Sequence, residues 1–452
     1  MKNIRRSIQA LLLLCLLAGC ETFLDEKPDK AMVVPATLPD LQALLDNYPV
    51  LNENDPGAGE VSADDYYLTD ADWESLYQEE DRRMYIWAED RLFAEQSNDW
   101  FFAYRPVYTA NTVLETLPLV PRTAANTAAW DNVKGQALFA RGRSFLQIAL
   151  LWSPSYDPAT ASTDLGIPLR RGTDFNAPST RSSVQQTYDQ ILADLTEATA
   201  LLPRTQVHPV RPSKPAAYAL LARTHLALGN YAQVAAYADS ALSLHPQLLD
   251  FNTLDTTAAY PVPPFNKEIL FRSIMPTPSA LNPSRAKITP SLYAAYAPQD
   301  LRRTVFFRDN GDGTYSFRGS YEGSLNLFSG VATDEVYLMR AEAYARLGQV
   351  DKALADLNTL LATRWKAGTF EPYSATGKEE ALNLVLQERR KELLMRGLRW
   401  LDLKRLNSEG AGITLTRTVN GQTYTLPPRD PRYALPLPEE IIELSGMPQN
   451  PR

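Results

Sequence analysis

Ala216-Ala217-Tyr218-Ala219-Leu220-Leu221-Ala222-Arg223-Thr224-His225-Leu226-Ala227-Leu228-Gly229-Asn230-Tyr231 and, much further along, Asp334-Glu335-Val336-Tyr337-Leu338-Met339-Arg340-Ala341-Glu342-Ala343-Tyr344-Ala345-Arg346-Leu347-Gly348-Gln349-Val350 repeat one another. Each reads as a helix, a Leu-Gly turn and the start of a second helix. In register, Ala222 falls on Ala341, His225 on Tyr344 and Gly229 on Gly348. Small residues let paired helices approach closely, and glycine frees the turn to take a positive φ. His225 shares its place with a tyrosine, so a packed role is expected of it.

Beyond the turns, Ala241, Pro246 and Ala353 stand where a tetratricopeptide repeat carries its later alanines and its proline. Tandem repeats recur about every 34 residues, whereas 119 positions separate Ala222 from Ala341. The chain between is therefore read as a variable insertion, about 247–332, lying between helical pairs near 132–246 and 333–364. Within it, Phe306 to Phe317 with its Gly311-Asp312-Gly313 turn predicts a small β-hairpin, and Asn420-Gly421 marks a second hairpin further on. Upstream, helices are expected over Trp100–Leu117 (ended by Pro118), Asn132–Trp152 (stopped by Pro154) and Ser183–Leu202. The last carries Val184, Tyr188, Ile191, Leu195 and Ala198 on one stripe and is terminated by Pro203. The fold class is all-α: a tetratricopeptide-like scaffold of helical pairs with an inserted, loop-rich region and small β-hairpins.

The N-terminus has a different character. Lys2, Arg5 and Arg6 precede an apolar run, Ile8 to Leu17, too short to span a bilayer. Leu17-Ala18-Gly19-Cys20 follows in the pattern of a lipoprotein cleavage site. Residues 1–19 are read as a signal peptide, Cys20 as the lipidated residue and 20–39 as a polar, proline-bearing tether. Residues 40–452 form the helical domain. Cys15 leaves with the signal and the lipid consumes Cys20, so no disulfide is expected. Attachment to the membrane is then through the N-terminal lipid alone, each buried methylene contributing about 0.8 kcal/mol. The formal charge of −8 and the pI near 5.2 lack the clustered Lys and Arg that nucleic-acid binding needs.

Several blocks together carry a family resemblance. Cys20-Glu21-Thr22-Phe23-Leu24-Asp25 opens the mature chain. Ala341-Glu342-Ala343-Tyr344-Ala345-Arg346-Leu347-Gly348 is followed by Leu357-Asn358. Gln387-Glu388-Arg389-Arg390-Lys391-Glu392-Leu393 leads to Gly397-Leu398-Arg399-Trp400-Leu401-Asp402-Leu403-Lys404-Arg405. Tyr433-Ala434-Leu435-Pro436-Leu437-Pro438 and Gln449-Asn450-Pro451 close the C-terminal region, 379–452. These resemble the SusD/RagB family of outer-membrane lipoproteins. Met395-Arg396, where the family usually carries Phe-Glu, and the terminal Arg452 depart from its pattern and put details of the binding face in question. The resemblance implies a lipid-anchored, surface-exposed protein of the outer membrane. Such a protein captures oligosaccharides, or in some members oligopeptides, for a partner TonB-dependent outer-membrane transporter. A tetratricopeptide scaffold lipoprotein in outer-membrane assembly is the alternative reading.

No residue is singled out for catalysis, metal binding or a cofactor. The three histidines, His208, His225 and His245, are dispersed, and neither a nucleophile elbow nor zinc spacing is present. The protein is read as a binding protein and not an enzyme. Glu388, Arg389, Glu392, Arg399, Asp402 and Arg405 lie within helical reach of one another and are read as an ion network locking the last helices. Ligand binding is sought in aromatic residues outside the repeats. Sugar rings present apolar C–H faces to flat side chains, while hydroxyls need charged or amide partners. Asp65, Tyr66, Tyr67, Trp73 and Trp87 supply that mixture after the tether, and Tyr315 supplies it in the insertion. Trp152 and Trp400, on apolar helices, are expected in the core.

Overall fold

The computed structural model describes residues 35–452. The signal peptide, Cys20 and most of the tether lie outside the described residues. The expected tether ends slightly early. Thr37 caps a helix, α1 (Leu38–Leu45), with Pro39 in its first turn, and Asp40 closes the capping box.

A row of long helices follows: α2 (Asp99–Thr116), α3 (Thr127–Trp152), α4 (Val184–Leu201), α5 (Lys214–Ala227) and α6 (Tyr231–Leu244). After the insertion come α7 (Thr333–Arg346), α8 (Val350–Leu361), α9 (Lys378–Glu392) and α10 (Arg399–Ser408). Each of α2 to α8 packs on the next in sequence, and α9 packs across α7 and α8. Thus α6 lies against α7 although the insertion separates them in the chain. The insertion bulges out and the two repeats stack as tandem repeats would.

Local chemistry sets the ends. The hydroxyl of Ser183 accepts from the backbone N–H of Gln186, whose side chain returns to the Ser183 N–H, so α4 begins on a capping box. α2 runs through a buried Pro106. At both Leu-Gly turns the glycine is left-handed, with φ +68° at Gly229 and +75° at Gly348. The following amide bonds back five residues, Asn230 to His225 and Gln349 to Tyr344. This is the Schellman closure that satisfies the last carbonyls of a helix. His225 stacks on Tyr237 of α6, ring centroids 5.4 Å apart.

The strands are short antiparallel pairs. In the insertion, β2 (Ile269–Phe271) pairs with β8 (Val331–Ala332), and β3 (Ile274–Met275) with β7 (Leu327–Phe328). The expected hairpin is β5 (Phe307–Asp309) with β6 (Tyr315–Phe317), and β9 (Leu415–Val419) with β10 (Gln422–Leu426) forms around Asn420-Gly421. One pair crosses the molecule: β1 (Tyr66–Tyr67) pairs with β4 (Lys287–Ile288) of the insertion.

Trp152 and Trp400 are fully buried. So is much of the charged block. Arg302 donates to Asp300, Glu388 and Glu392 at 2.6–2.9 Å, and Arg364 joins Glu392 to Glu268. Arg405 joins Glu342 to Asp402, which also receives Arg389. These pairs bind the insertion and the last two long helices to the repeats. The departure at Met395-Arg396 is also interior. Arg396 pairs with buried Asp334 at 3.0 Å and lies over the rings of Tyr321 and Phe328. Both residues of the departure are buried in the core.

Candidate ligand-binding face

The β1–β4 pair joins the segment after the tether to the insertion, and the candidate residues divide about it. Strand side chains alternate. Tyr66 turns inward, 3% exposed, with its hydroxyl donating to the Val61 carbonyl and its ring against Tyr85. Tyr67 turns to the half-exposed side. Asp65 is 2% exposed and accepts from Arg390 Nε at 2.8 Å. Trp87 is 4% exposed, donates Nε1–H to the Ser62 carbonyl, and has the Arg417 guanidinium over its ring. Asp65, Tyr66 and Trp87 are therefore corrected from ligand contacts to supports. The Tyr66 hydroxyl and the Trp87 indole are already paired, Arg390 holds Asp65, and burial keeps all three from any ligand on the surface.

Trp73 lies on a short helical turn, Asp70–Glu74, capped by Thr69 and Asp72. Its indole N–H donates to the Arg82 carbonyl at 3.2 Å, which fixes the half-buried ring on the core. Tyr77, three residues beyond the turn, is 88% exposed. The insertion meets this turn through two side-chain bonds. Lys287 Nζ donates to Asp72 at 2.6 Å, and Arg285 Nε to the Ser75 hydroxyl at 2.8 Å. Hydrogen bonds from Lys287 and Thr69 hold the Asp72 carboxyl below its usual range against a burial that would raise it.

β6 packs beside β4 and brings Tyr315 to the same side of the insertion. Tyr315 stacks on Tyr293 with centroids 3.5 Å apart and planes at 13°. Arg303 Nε donates to the Tyr293 hydroxyl at 3.0 Å. Tyr67, Trp73, Tyr293 and Tyr315 thus come from three separate stretches of chain joined through β4, with Arg285, Lys287 and Arg303 among them. Of the other insertion tyrosines, Tyr296 and Tyr321 are buried, donating to the Lys391 carbonyl and to Glu268.

Sequence reasoning did not single out Arg285, Lys287 or Arg303. Isolated cations carry no periodic signal. The β1–β4 pairing brings Arg285 and Lys287 to the Trp73 turn, and Arg303 is set against Tyr293 by its own hydrogen bond.

Behind the segment lies a cleft of about 360 Å³, lined by Met84, Phe93, Phe102 and Pro278 with Asp81 and Asp99. Asp99 accepts from the Ala58 N–H at 2.8 Å, and burial pushes its carboxyl up to about 6. Burial, then the neighbouring Glu80, also raises Asp81.

Two sequence-family models match the chain. One, described as starch-binding associating with outer membrane, covers residues 22–226, and the other, the SusD family, covers 334–451. No curated protein matches. Among solved structures, a putative sugar binding protein from Bacteroides vulgatus ATCC 8482 superposes with a TM-score of 0.75 at 20% identity, covering 93% of this chain and 99% of that one. A SusD superfamily protein from Bacteroides thetaiotaomicron VPI-5482 gives 0.71 at 21% identity, with 92% and 100% coverage. A SusD-like carbohydrate binding protein from Bacteroides vulgatus ATCC 8482 gives 0.68 at 20%, with 91% and 96%. The shared fold extends over nearly the whole chain, and the sequence matches bracket the insertion on both sides: the chain belongs to the SusD family.

Proposed function

We propose that this protein binds an oligosaccharide on the face built from Tyr67, Trp73, Tyr293 and Tyr315, and delivers it to a TonB-dependent outer-membrane transporter while anchored through lipid on Cys20. The observation that carries the reading is the joining of the Tyr293–Tyr315 stack to the Trp73 turn through β4. Flat rings meet the C–H faces of sugars, and Arg285, Arg303 and Lys287 supply donors for hydroxyl oxygens. The sugar-binding descriptions of the family and of its solved relatives support the same reading. The face offers binding without turnover.

Affinity electrophoresis through gels containing amylopectin, xylan, mannan or polygalacturonate tests it. Retardation in at least one gel is expected, and Tyr315→Ala should abolish it. Binding of peptides with no retardation in any gel would replace the saccharide by an oligopeptide cargo. Purification of the tagged protein from its own outer membrane should recover a stoichiometric transporter. Assembly factors in its place would favour the scaffold reading.

A further inference from the structure

The two residues before β1 join three parts of the molecule. The backbone carbonyl of Asp65 accepts from the Thr289 N–H at 3.0 Å, and that of Asp64 from the Thr289 hydroxyl at 3.0 Å, both from the insertion. The scaffold takes the side chains. Arg399 of α10 grips the Asp64 carboxylate with Nε and Nη2 at 2.7 and 3.0 Å. Arg390 of α9 bridges the pair, with Nε on Asp65 at 2.8 Å and Nη2 on Asp64 at 3.1 Å. Two adjacent carboxylates repel, and burial disfavours each charge, so their place depends on the arginines.

α9 presents three basic residues in succession. Arg389 turns to Asp402 of the scaffold, and Lys391 turns to Glu388 beside it and to Asp300 of the insertion. Only Arg390 reaches the segment that continues into Tyr67 and Trp73. Successive residues on a helix point about 100° apart, so neighbours can serve separate partners. Arg390 is also the more open of the two clamps, its side chain 31% exposed against 9% for Arg399.

We propose that Arg390 is a positioning residue for ligand capture: by bridging Asp64 and Asp65 it fixes β1, and through β1 the placement of Tyr67 and Trp73. The inference rests on the saccharide reading above. Rigid support behind a binding group raises affinity by removing the cost of ordering it on binding. Arg390 acts through the two carboxylates it bridges.

The test uses the full chain with Arg390→Ala and Arg390→Lys. Titrations with whichever of the four polysaccharides retains the wild type are made far below the melting transition. Arg390→Ala should raise Kd roughly tenfold. Arg390→Lys should recover part of the loss, because an ammonium restores a charge but not the two-carboxylate bridge. Hydrogen exchange should quicken across residues 64–73 in Arg390→Ala and stay unchanged in α7. An unchanged Kd in Arg390→Ala, even with a lowered melting temperature, would show a merely structural ion pair and overturn the proposal. A wild type retained by none of the four polysaccharides removes the saccharide reading and this inference with it, an outcome seen before any variant is made.

Discussion

At the scale of single residues, burial separates rings that hold the structure from rings that can meet a ligand. Asp65, Tyr66, Tyr67, Trp73 and Trp87 look alike in sequence, yet only Tyr67 and Trp73 keep part of their surface open. Trp73→Ala is expected to weaken polysaccharide binding at least tenfold while leaving the helical circular-dichroism signal intact, whereas Trp87→Ala should cost about 3–5 kcal/mol of stability as a core truncation. Urea melts and titrations on both variants separate the two effects. Glu60 offers a pH-dependent counterpart. Burial first, then repulsion from Asp65, pushes its carboxyl from 4.5 up to about 8, while one oxygen accepts from the Gly397 N–H at 2.8 Å. The folded state therefore keeps a proton that the unfolded chain releases. The associated stability is fully present below pH 4.5 and is lost as pH rises through about 8. Glu60→Gln, which cannot ionise, should lose less stability between pH 5 and 9 than the wild type, by an amount on the order of 3 kcal/mol. Denaturant melts at the two pH values check it.

At the scale of elements, the repeat turns and the buried ion pairs make different demands. Gly229 and Gly348 were legible because the left-handed turn between paired helices has a local sequence signature. Gly348→Ala should cost about 1 kcal/mol, the penalty for a Cβ at positive φ, and lower the melting temperature slightly without changing ligand affinity. The network around Arg302 was only half legible. Glu388 and Glu392 announced themselves by spacing on α9, but their partner Arg302 lies 86 and 90 positions earlier in the insertion. Helical periodicity cannot point across such a distance. Arg302→Met leaves the carboxylates of Asp300, Glu388 and Glu392 buried without their shared counter-charge. A loss of about 3–5 kcal/mol is expected, measured as a shift of the urea midpoint.

Across the whole molecule, the repeats form a continuous row, and the insertion leaves that row to meet the N-terminal segment at β1–β4. None of the described helices is long and apolar enough to cross a membrane. Cys20→Ala should therefore move the protein from the membrane pellet to the soluble fraction, and its persistence in washed membranes would overturn the lipid anchor. By itself, the sequence determined the long helices of the repeats and their proline-ended termini, the glycine turns, both hairpins and the family. These depend on neighbours a few residues apart, whose periodicity and turn chemistry are written locally. Only the tertiary structure decided that α6 stacks on α7 across the insertion, that Arg302 and Arg390 are the counter-charges of distant carboxylates, and which aromatic residues stay open. Side-chain exposure and ion pairing are set by what arrives from remote parts of the chain, and no local pattern encodes that arrival.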